Sequence, residues 1–369
     1  MIIAGEASGD LHGAGVVREL KRRSKSVEVY GVGGENMKRE GMDLIYHINE
    51  LGFMGFVEVL NHLPFIKTME YTLGQIVKFK RPDVLLLIDY PGFNLRFARI
   101  AKQYGVRIVY YISPQVWAWH RSRVKKIRAL VDKMLVIFPF EVDFYRAAGV
   151  DAEFVGHPLL EVLESGLDRK NFCRRFGLDE KKKILALVPG SRKQEVDAIF
   201  PAMLSAARSI AADGGTEIVV ALAPTIGEQY FRTMYPNLGN VRLLQGLTYD
   251  VMANADFAFV TSGTATLETA CFGTPMFVLY KTSWPTYLIG KLLVQVKNIG
   301  LVNIVAGKTI APEFIQNRVK AKLLAREAQK ILRDERRLNE MRSELRRVRT
   351  LLGSTGAAKK VAGAILQAA

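Results

Sequence analysis

Asp89 is the residue of this sequence best suited to moving a proton. It stands in Ile88-Asp89-Tyr90-Pro91-Gly92-Phe93-Asn94, directly after the apolar run Val84-Leu85-Leu86-Leu87-Ile88. A carboxylate at the end of a buried strand is costly unless it is paired or used. In that place it can take the proton of an attacking hydroxyl. Capping a turn is the plainer role, and Asn94 reads as a helix cap. Two other stretches suit phosphate. In Pro189-Gly190-Ser191-Arg192, Gly190 lets the backbone approach an anion, Ser191 adds a hydroxyl and Arg192 supplies a forked cation. In Thr261-Ser262-Gly263-Thr264-Ala265-Thr266-Leu267-Glu268, the residues Ser262, Gly263, Thr264, Ala265 and Thr266 offer hydroxyls and helix-start amides as a phosphate cradle. Glu268, about one turn into that helix, can accept both hydroxyls of a ribose; a Ser/Thr capping box is the alternative.

Two further loops have mixed character. Gly5-Glu6-Ala7-Ser8-Gly9-Asp10 leads from a short apolar run into a helix. Asp10 can cap that helix, and Glu6 and Ser8 can touch a sugar or a phosphate. In Ser113-Pro114-Gln115-Val116-Trp117-Ala118-Trp119-His120 the two indoles fall on one side of an extended segment. They suit either a platform for a sugar ring or acyl chain, or packing between domains.

Other chemistries are disfavoured. The segment Thr261–Glu268 fails the P-loop pattern because it has no Gly-Lys-Ser/Thr, and the chain has no Gly-x-Gly-x-x-Gly after a strand and no Gly-x-Ser-x-Gly elbow. No Asp-x-Asp is present, which disfavours one kind of metal-dependent sugar transferase. Cys173 and Cys271 and the five histidines show no ligand spacing, so no metal and no cofactor is expected. The two cysteines read as reduced thiols of a cytoplasmic protein.

The elements that must position these loops alternate. Apolar runs at Ile2–Ala4, Val27–Val32, Val84–Ile88, Val106–Tyr111, Met134–Ile137 and Ala152–Val155 are separated by helical patterns such as Leu11–Arg23 and Asn94–Tyr104. Ile184–Val188, Glu217–Leu222, Val241–Leu244, Phe257–Val260 and Met276–Leu279 repeat the theme. The fold class is therefore α/β, with two doubly wound parallel-sheet domains facing a cleft. The expected boundaries are 1–158, 159–352 and a C-terminal helix in 353–369, with Arg318–Leu352 helical. His157, in Gly156-His157-Pro158, reads as a linker or interdomain residue. Ligands of such sheets gather at the carboxyl ends of strands, where all five loops lie.

The chain has 369 residues, 49% hydrophobic and 24% charged, with a net charge of +16 concentrated beyond residue 165. That excess implies an anionic partner: phosphate, an acidic membrane surface or nucleic acid. The basic C-terminal stretch has no aromatic interleaving and no nucleic-acid-binding motif, so no nucleic acid is expected. No run approaches the roughly 18 apolar residues of a membrane span. Val57, Leu60, Leu63 and Ile66 recur at helical spacing beside Lys67, Lys78, Lys80 and Arg81, a pattern shared by interfacial helices and buried helix faces.

Taken in order, Gly5–Asp10, Leu51–Leu60 with Met54-Gly55, Ile88-Asp89, Ser113–Trp119, Gly156–Pro158, Pro189–Arg192 and Ser262–Glu268 resemble the lipid-A-disaccharide synthase family over essentially the whole chain. The resemblance implies a GT-B fold, no metal and inversion at the anomeric carbon. It implies joining of UDP-2,3-diacylglucosamine to 2,3-diacylglucosamine 1-phosphate, giving a β-1,6-linked disaccharide 1-phosphate and UDP. It makes Asp89 and Arg192 the essential pair, with Asn303 as a further cleft residue. It also implies work at the anionic inner-membrane surface, as a peripheral protein, and leaves room for a homodimer. The sequence departs from the family in starting at the first strand without a polar leader. It also carries Gly92 where some members have a second acid. An epimerase or a transferase for a soluble acceptor, on the same fold, is the nearest rival.

Overall fold

The computed structural model describes residues 1–51, 63–118, 123–293 and 296–369. Val57, Leu60, Trp119 and His120 lie outside the described residues. The chain divides into two compact units, Met1–Glu161 with Leu352–Ala369, and Val162–Leu351.

The first unit is built on seven parallel strands: β1 (Ile2–Ala4), β2 (Tyr30–Gly33), β3 (Asp43–His47), β4 (Val84–Ile88), β5 (Arg107–Tyr111), β6 (Lys133–Val136) and β7 (Ala152–Phe154), in the order β3-β2-β1-β4-β5-β6-β7. The second has six: β8 (Lys183–Val188), β9 (Thr216–Leu222), β10 (Arg242–Gln245), β11 (Phe257–Thr261), β12 (Met276–Tyr280) and β13 (Glu313–Ile315), in the order β10-β9-β8-β11-β12-β13. Helices cover both faces, so inner strands bury both sides and read as unbroken apolar runs. All five residues of β4 are buried. β3 and β13 were not expected from sequence. β3 is an edge strand that stays half-buried, and β13 has only three residues.

Each sheet starts in its middle. β1 leads outward to β2 and β3, and the chain then returns to lay β4 on the other side of β1, with Ile3 opposite Leu87. β8 and β11 stand in the same relation, with Leu187 opposite Phe259. Between such strands the following helices leave on opposite faces and open a crevice at the carboxyl ends.

The C-terminal helix Ala357–Ala368 belongs to the first unit rather than standing as a separate element. Arg23 Nη2 donates to Lys359 O at 2.8 Å, and Glu161 Oε1 accepts from Gly356 N at 3.1 Å and Ala358 N at 3.2 Å. His157 also lies inside this unit. Its N–H reaches Leu352 O at 2.9 Å, and its Nδ1 accepts from Leu159 N at 3.1 Å. The predicted helix over 318–352 is two helices, Ala321–Leu332 and Glu335–Leu351. The second starts where Asp334 Oδ1 accepts from Arg337 N at 3.0 Å.

Asp10 does not cap its own helix, Ala7–Arg23, whose N-cap is Glu6. It is buried and crosses to the start of the helix Glu35–Arg39. There its carboxylate accepts from Gly34 N (2.7 Å), Asn36 N (3.1 Å), Asn36 Nδ2 (2.8 Å) and Met37 N (3.1 Å). The sequence showed the capping chemistry but not which helix end would receive it. Asp10→Ala leaves buried N–H donors without partners and is expected to destabilise the first unit by about 2–4 kcal/mol. Thermal melting checks this; an unchanged transition would mean that water replaces the carboxylate at no cost.

Candidate functional site

In the first unit the crevice between β1 and β4 brings together the loops carrying Glu6, Ser8 and Asp89. Glu6 and Ser8 are exposed and Asp89 is half-buried. Asp89 N still donates to Tyr111 O at 3.0 Å, continuing the ladder, and then the chain kinks. Asp89 and Tyr90 both have φ of +45°, so two successive non-glycine residues sit in the left-handed region. Each such residue costs roughly 1–2 kcal/mol. The Tyr90 ring lies against Gly5, where any Cβ would fall 2.2 Å from the ring. Gly5 is therefore required for this close approach.

Burial pushes the Asp89 carboxyl up to about 6, the Glu6 carboxylate adds to the shift, and a hydrogen bond from Tyr90 N–H opposes it. Such a group is poised near neutrality for proton transfer. Asn94 is not a cap. It lies inside the helix Pro91–Gln103, fully buried, and its Nδ2 donates to Asp89 O at 2.7 Å and Ile88 O at 3.2 Å.

The loop after β5 owes its shape to Glu141, a buried residue that sequence reasoning missed. Glu141 Oε1 accepts from Ser113 Oγ (2.6 Å) and Trp117 Nε1 (2.9 Å), and Oε2 from Phe138 N (3.1 Å). Burial raises its carboxyl to about 7 against these bonds. The visible signal was an acid in the first turn after Pro139, but nothing local tied it to Ser113. Trp117 is buried, with its ring edge-on to Phe140 at 5.0 Å, and so forms no open platform. The membrane stripe divides: Ile66 is packed with Met69 and Leu73 in the core, whereas Leu63 is 36% exposed. The helical spacing shared by interfacial and buried faces marks, at Ile66, the buried side of the helix Leu63–Lys80.

In the second unit a cavity of about 610 Å³ fills the crevice between β8 and β11. Gly190, Ser191, Arg192, Ser262, Gly263, Thr264, Ala265 and Glu268 all line it. Gly190 has φ of +108°, and a Cβ there would meet Glu195 Oε2 at 2.9 Å. Arg192 is the N-cap of the helix Lys193–Ala211, and its side chain is 70% exposed and paired with Glu195 at 3.0 Å. Exposed pairs of this kind contribute about 0–1 kcal/mol, so the guanidinium is free to exchange partners.

The helix Thr264–Cys271 starts at the cavity; the amides of Thr264 and Ala265 have no acceptor within the helix, whereas Thr266 N donates to Gly263 O at 3.1 Å. Thr264 is exposed. Ser262 Oγ donates to Ile299 O at 3.2 Å and Thr266 Oγ1 to Gly263 O at 2.8 Å, which fixes their oxygens as acceptors. Thr261 is a lining residue the sequence reading passed over: its hydroxyl is buried and makes no hydrogen bond among the described residues. Glu268 is half-buried in the wall, and burial raises its carboxyl. Thr248 and Tyr249, which start the helix Thr248–Asn254, complete that wall.

Asn303 is fully buried, outside the cavity, and its amide is used up inside the unit. Nδ2 donates to Ala311 O and Glu313 Oε1, and Oδ1 accepts from Ile310 N and Ala311 N, at 2.7–2.9 Å. Glu313 in turn accepts from Ile299 N and Gly300 N, behind Ser262. In place of the open contact expected of it, Asn303 braces the cradle from the rear. Among the described residues no three His, Cys, Asp or Glu side chains gather as metal ligands, and no helix is long and apolar enough to cross a membrane.

A family profile described as lipid-A-disaccharide synthetase matches residues 1–366. The chain is 46% identical over 365 residues to the lipid-A-disaccharide synthase of Syntrophus aciditrophicus, covering 98% of this chain and 95% of that protein. With the enzyme of Geobacter sulfurreducens it shares 42% over 369 residues, covering 100% and 96%. The chain belongs to the lipid-A-disaccharide synthase family. It is a glycosyltransferase of lipid A biosynthesis. Solved structures support the fold: a UDP-GlcNAc 2-epimerase from Neisseria meningitidis, bound to UDP-GlcNAc, superposes with a TM-score of 0.65 at 12% identity, covering 99% of each chain. The glycotransferase of kitacinnamycin gives 0.66 at 16%, covering 100% of this chain and 98% of that one. At these identities the likeness speaks for the GT-B fold alone.

With its carboxyl at about 6, Asp89 is increasingly ionised as pH rises through that value. A reaction using it as proton acceptor is expected to climb in kcat/KM across the same range and level off above it, measured between about pH 5 and 8. Because the Glu6 charge raises Asp89, Glu6→Gln is expected to move the acid limb to lower pH. A profile without an acid limb would exclude Asp89 as the acceptor.

Proposed function

We propose that the chain transfers the 2,3-diacylglucosamine unit of UDP-2,3-diacylglucosamine to the 6-hydroxyl of 2,3-diacylglucosamine 1-phosphate, with inversion at the anomeric carbon. The observation that carries this reading is Asp89: a half-buried carboxyl at a strand end, held near neutral pKa, in the crevice of the first sheet. Asp89 takes the proton of the acceptor 6-hydroxyl as that oxygen bonds to C1. The bond from C1 to the diphosphate oxygen breaks, and its electron pair leaves on UDP. The cavity of the second unit binds the UDP. Arg192, Ser191, the amides of Gly263, Thr264 and Ala265 and the hydroxyl of Thr264 take the diphosphate, where negative charge grows; Ser262 and Thr266, whose amides and hydroxyls are spent on Leu279 O, Ile299 O and Gly263 O, shape the cradle instead. Glu268 accepts the ribose hydroxyls. Glu6 and Ser8 contact the acceptor. The UDP-sugar in the Neisseria epimerase supports the nucleotide assignment.

Both substrates carry acyl chains, so the same reading has the protein working at the anionic cytoplasmic surface of the inner membrane. Its net charge of +16 suits that surface. Of the apolar stripe, Leu63 is the described residue left free to meet lipid.

Mass spectrometry of the products from the two acylated substrates tests the reaction; absence of the disaccharide 1-phosphate would overturn it. Asp89→Asn is expected to lower turnover by roughly 10²–10⁴ with the fold intact. Arg192→Ala is expected to weaken UDP binding or turnover, and Arg192→Lys to restore only part of the loss, since an ammonium lacks the fork. Full rescue by lysine would reduce Arg192 to a general positive charge. Leu63→Ser is expected to lower co-sedimentation with anionic vesicles at unchanged melting temperature. Ile66→Ser is expected to lower the melting temperature instead, by about 2–4 kcal/mol of stability.

A further inference from the structure

The kink at Asp89–Tyr90 is the only place among the described residues where two successive non-glycine residues have positive φ. Such a backbone persists only where its surroundings over-determine it. Two side chains from different elements converge on the carbonyl oxygen of the kink: the Tyr110 hydroxyl from β5 donates to Asp89 O at 2.5 Å, and Asn94 Nδ2 from the next helix donates to the same oxygen at 2.7 Å. Both residues are 0% exposed. Tyr110 stands opposite Leu87 in the β4–β5 register, which puts its ring under the end of β4.

We infer that Tyr110 and Asn94 are positioning residues for the transfer, clamping the Asp89 carbonyl so that the strained peptide cannot turn over and carry the Asp89 carboxylate away from the acceptor hydroxyl. Neither residue touches substrate. A tyrosine buried for packing alone would need some acceptor for its hydroxyl. Here hydroxyl and amide share one acceptor, at the one doubly strained peptide, next to the proposed base. The inference rests on the reading of Asp89 as base, and the test separates the two.

Tyr110→Phe keeps the ring and removes only the donor. It is expected to lower kcat by about 10- to 100-fold while leaving KM for both substrates unchanged, because the loss lies in orientation rather than binding. Asn94→Ala removes the other donor from a different element and is expected to give the same split, so a folding defect in one variant leaves the other to decide. The decisive comparison is Tyr110→Phe in the Asp89→Asn background. If the clamp acts through the Asp89 carboxylate, it causes no further loss of kcat there. An equal loss in both backgrounds, a rise in KM in place of the fall in kcat, or an unchanged kcat in the single variants would overturn the clamp and leave Asp89 as base. Wild-type turnover in Asp89→Asn alone would overturn both.

Discussion

A parallel sheet wound outward from its middle has one pair of adjacent strands whose helices must leave on opposite faces. The handedness of the crossovers forces this. In the first unit the pair is β1 and β4, and in the second β8 and β11. The positions of Glu6, Ser8 and Asp89, and of Arg192, Ser262 and Glu268, follow from it. Among the described residues, no other neighbouring strands in either sheet reverse the winding order in this way. The same winding buries the strands on both faces, so a polar residue just past a strand end lies at the border between a dry sheet and solvent. Asp89 owes its raised pKa to that border more than to any single neighbour.

Loops at such a border must satisfy their backbone groups without help from a ladder. Buried polar side chains do this throughout. Asp10 gathers the amides that start the helix Glu35–Arg39, Glu141 fixes the loop after β5, and Asn303 with Glu313 fixes the backbone behind Ser262. Asp250 does the same for the entry to the second unit, accepting from Leu167 N at 2.8 Å and Ser165 Oγ at 3.2 Å. Asp10, Glu141 and Asp250 reach segments 24 or more residues away, whereas Asn303 closes a shorter loop. Removing one of these side chains frees several donors together, at a cost above that of a typical single hydrogen bond.

That long reach explains which parts of the molecule were legible in the sequence. Strand runs, helix starts and the five loops depend on local pattern, and the alternation of apolar runs with helical stretches was enough to place them. Strands such as Arg107–Tyr111 and Met276–Tyr280 lie within a residue of where their apolar runs suggested. β13 has three residues and β3 is half-buried along most of its length without alternation, so neither leaves a pattern to read. Asp10 caps a helix other than its own, Trp117 and Ile66 take the packing role of the two that their patterns allowed, and Asn303, expected in the cleft, points inward. The residue types were informative, because each is polar, aromatic or apolar for a reason. The direction depends on partners 24 or more residues away for Asp10 and Trp117. Residue type and local spacing carry no information about such distances.

The two ends of the proposed reaction need opposite electrostatic settings. A base must give up hydration so that it binds a proton near neutral pH, which calls for burial, a like charge nearby and a rigid backbone. Asp89 has all three: it is half-buried, Glu6 is close enough to raise it, and its carbonyl is held from two sides. A departing diphosphate instead brings its own negative charge. The residues receiving it must stay hydrated and loosely held until it arrives, or their desolvation would be incurred in advance. Arg192, exposed and in a weak pair with Glu195, meets that need. The open amides of the helix Thr264–Cys271 add a fixed positive end that needs no counter-ion. Exchanging the two environments would remove both functions: a buried Arg192 would need a permanent partner, and an exposed Asp89 would be ionised but only weakly basic.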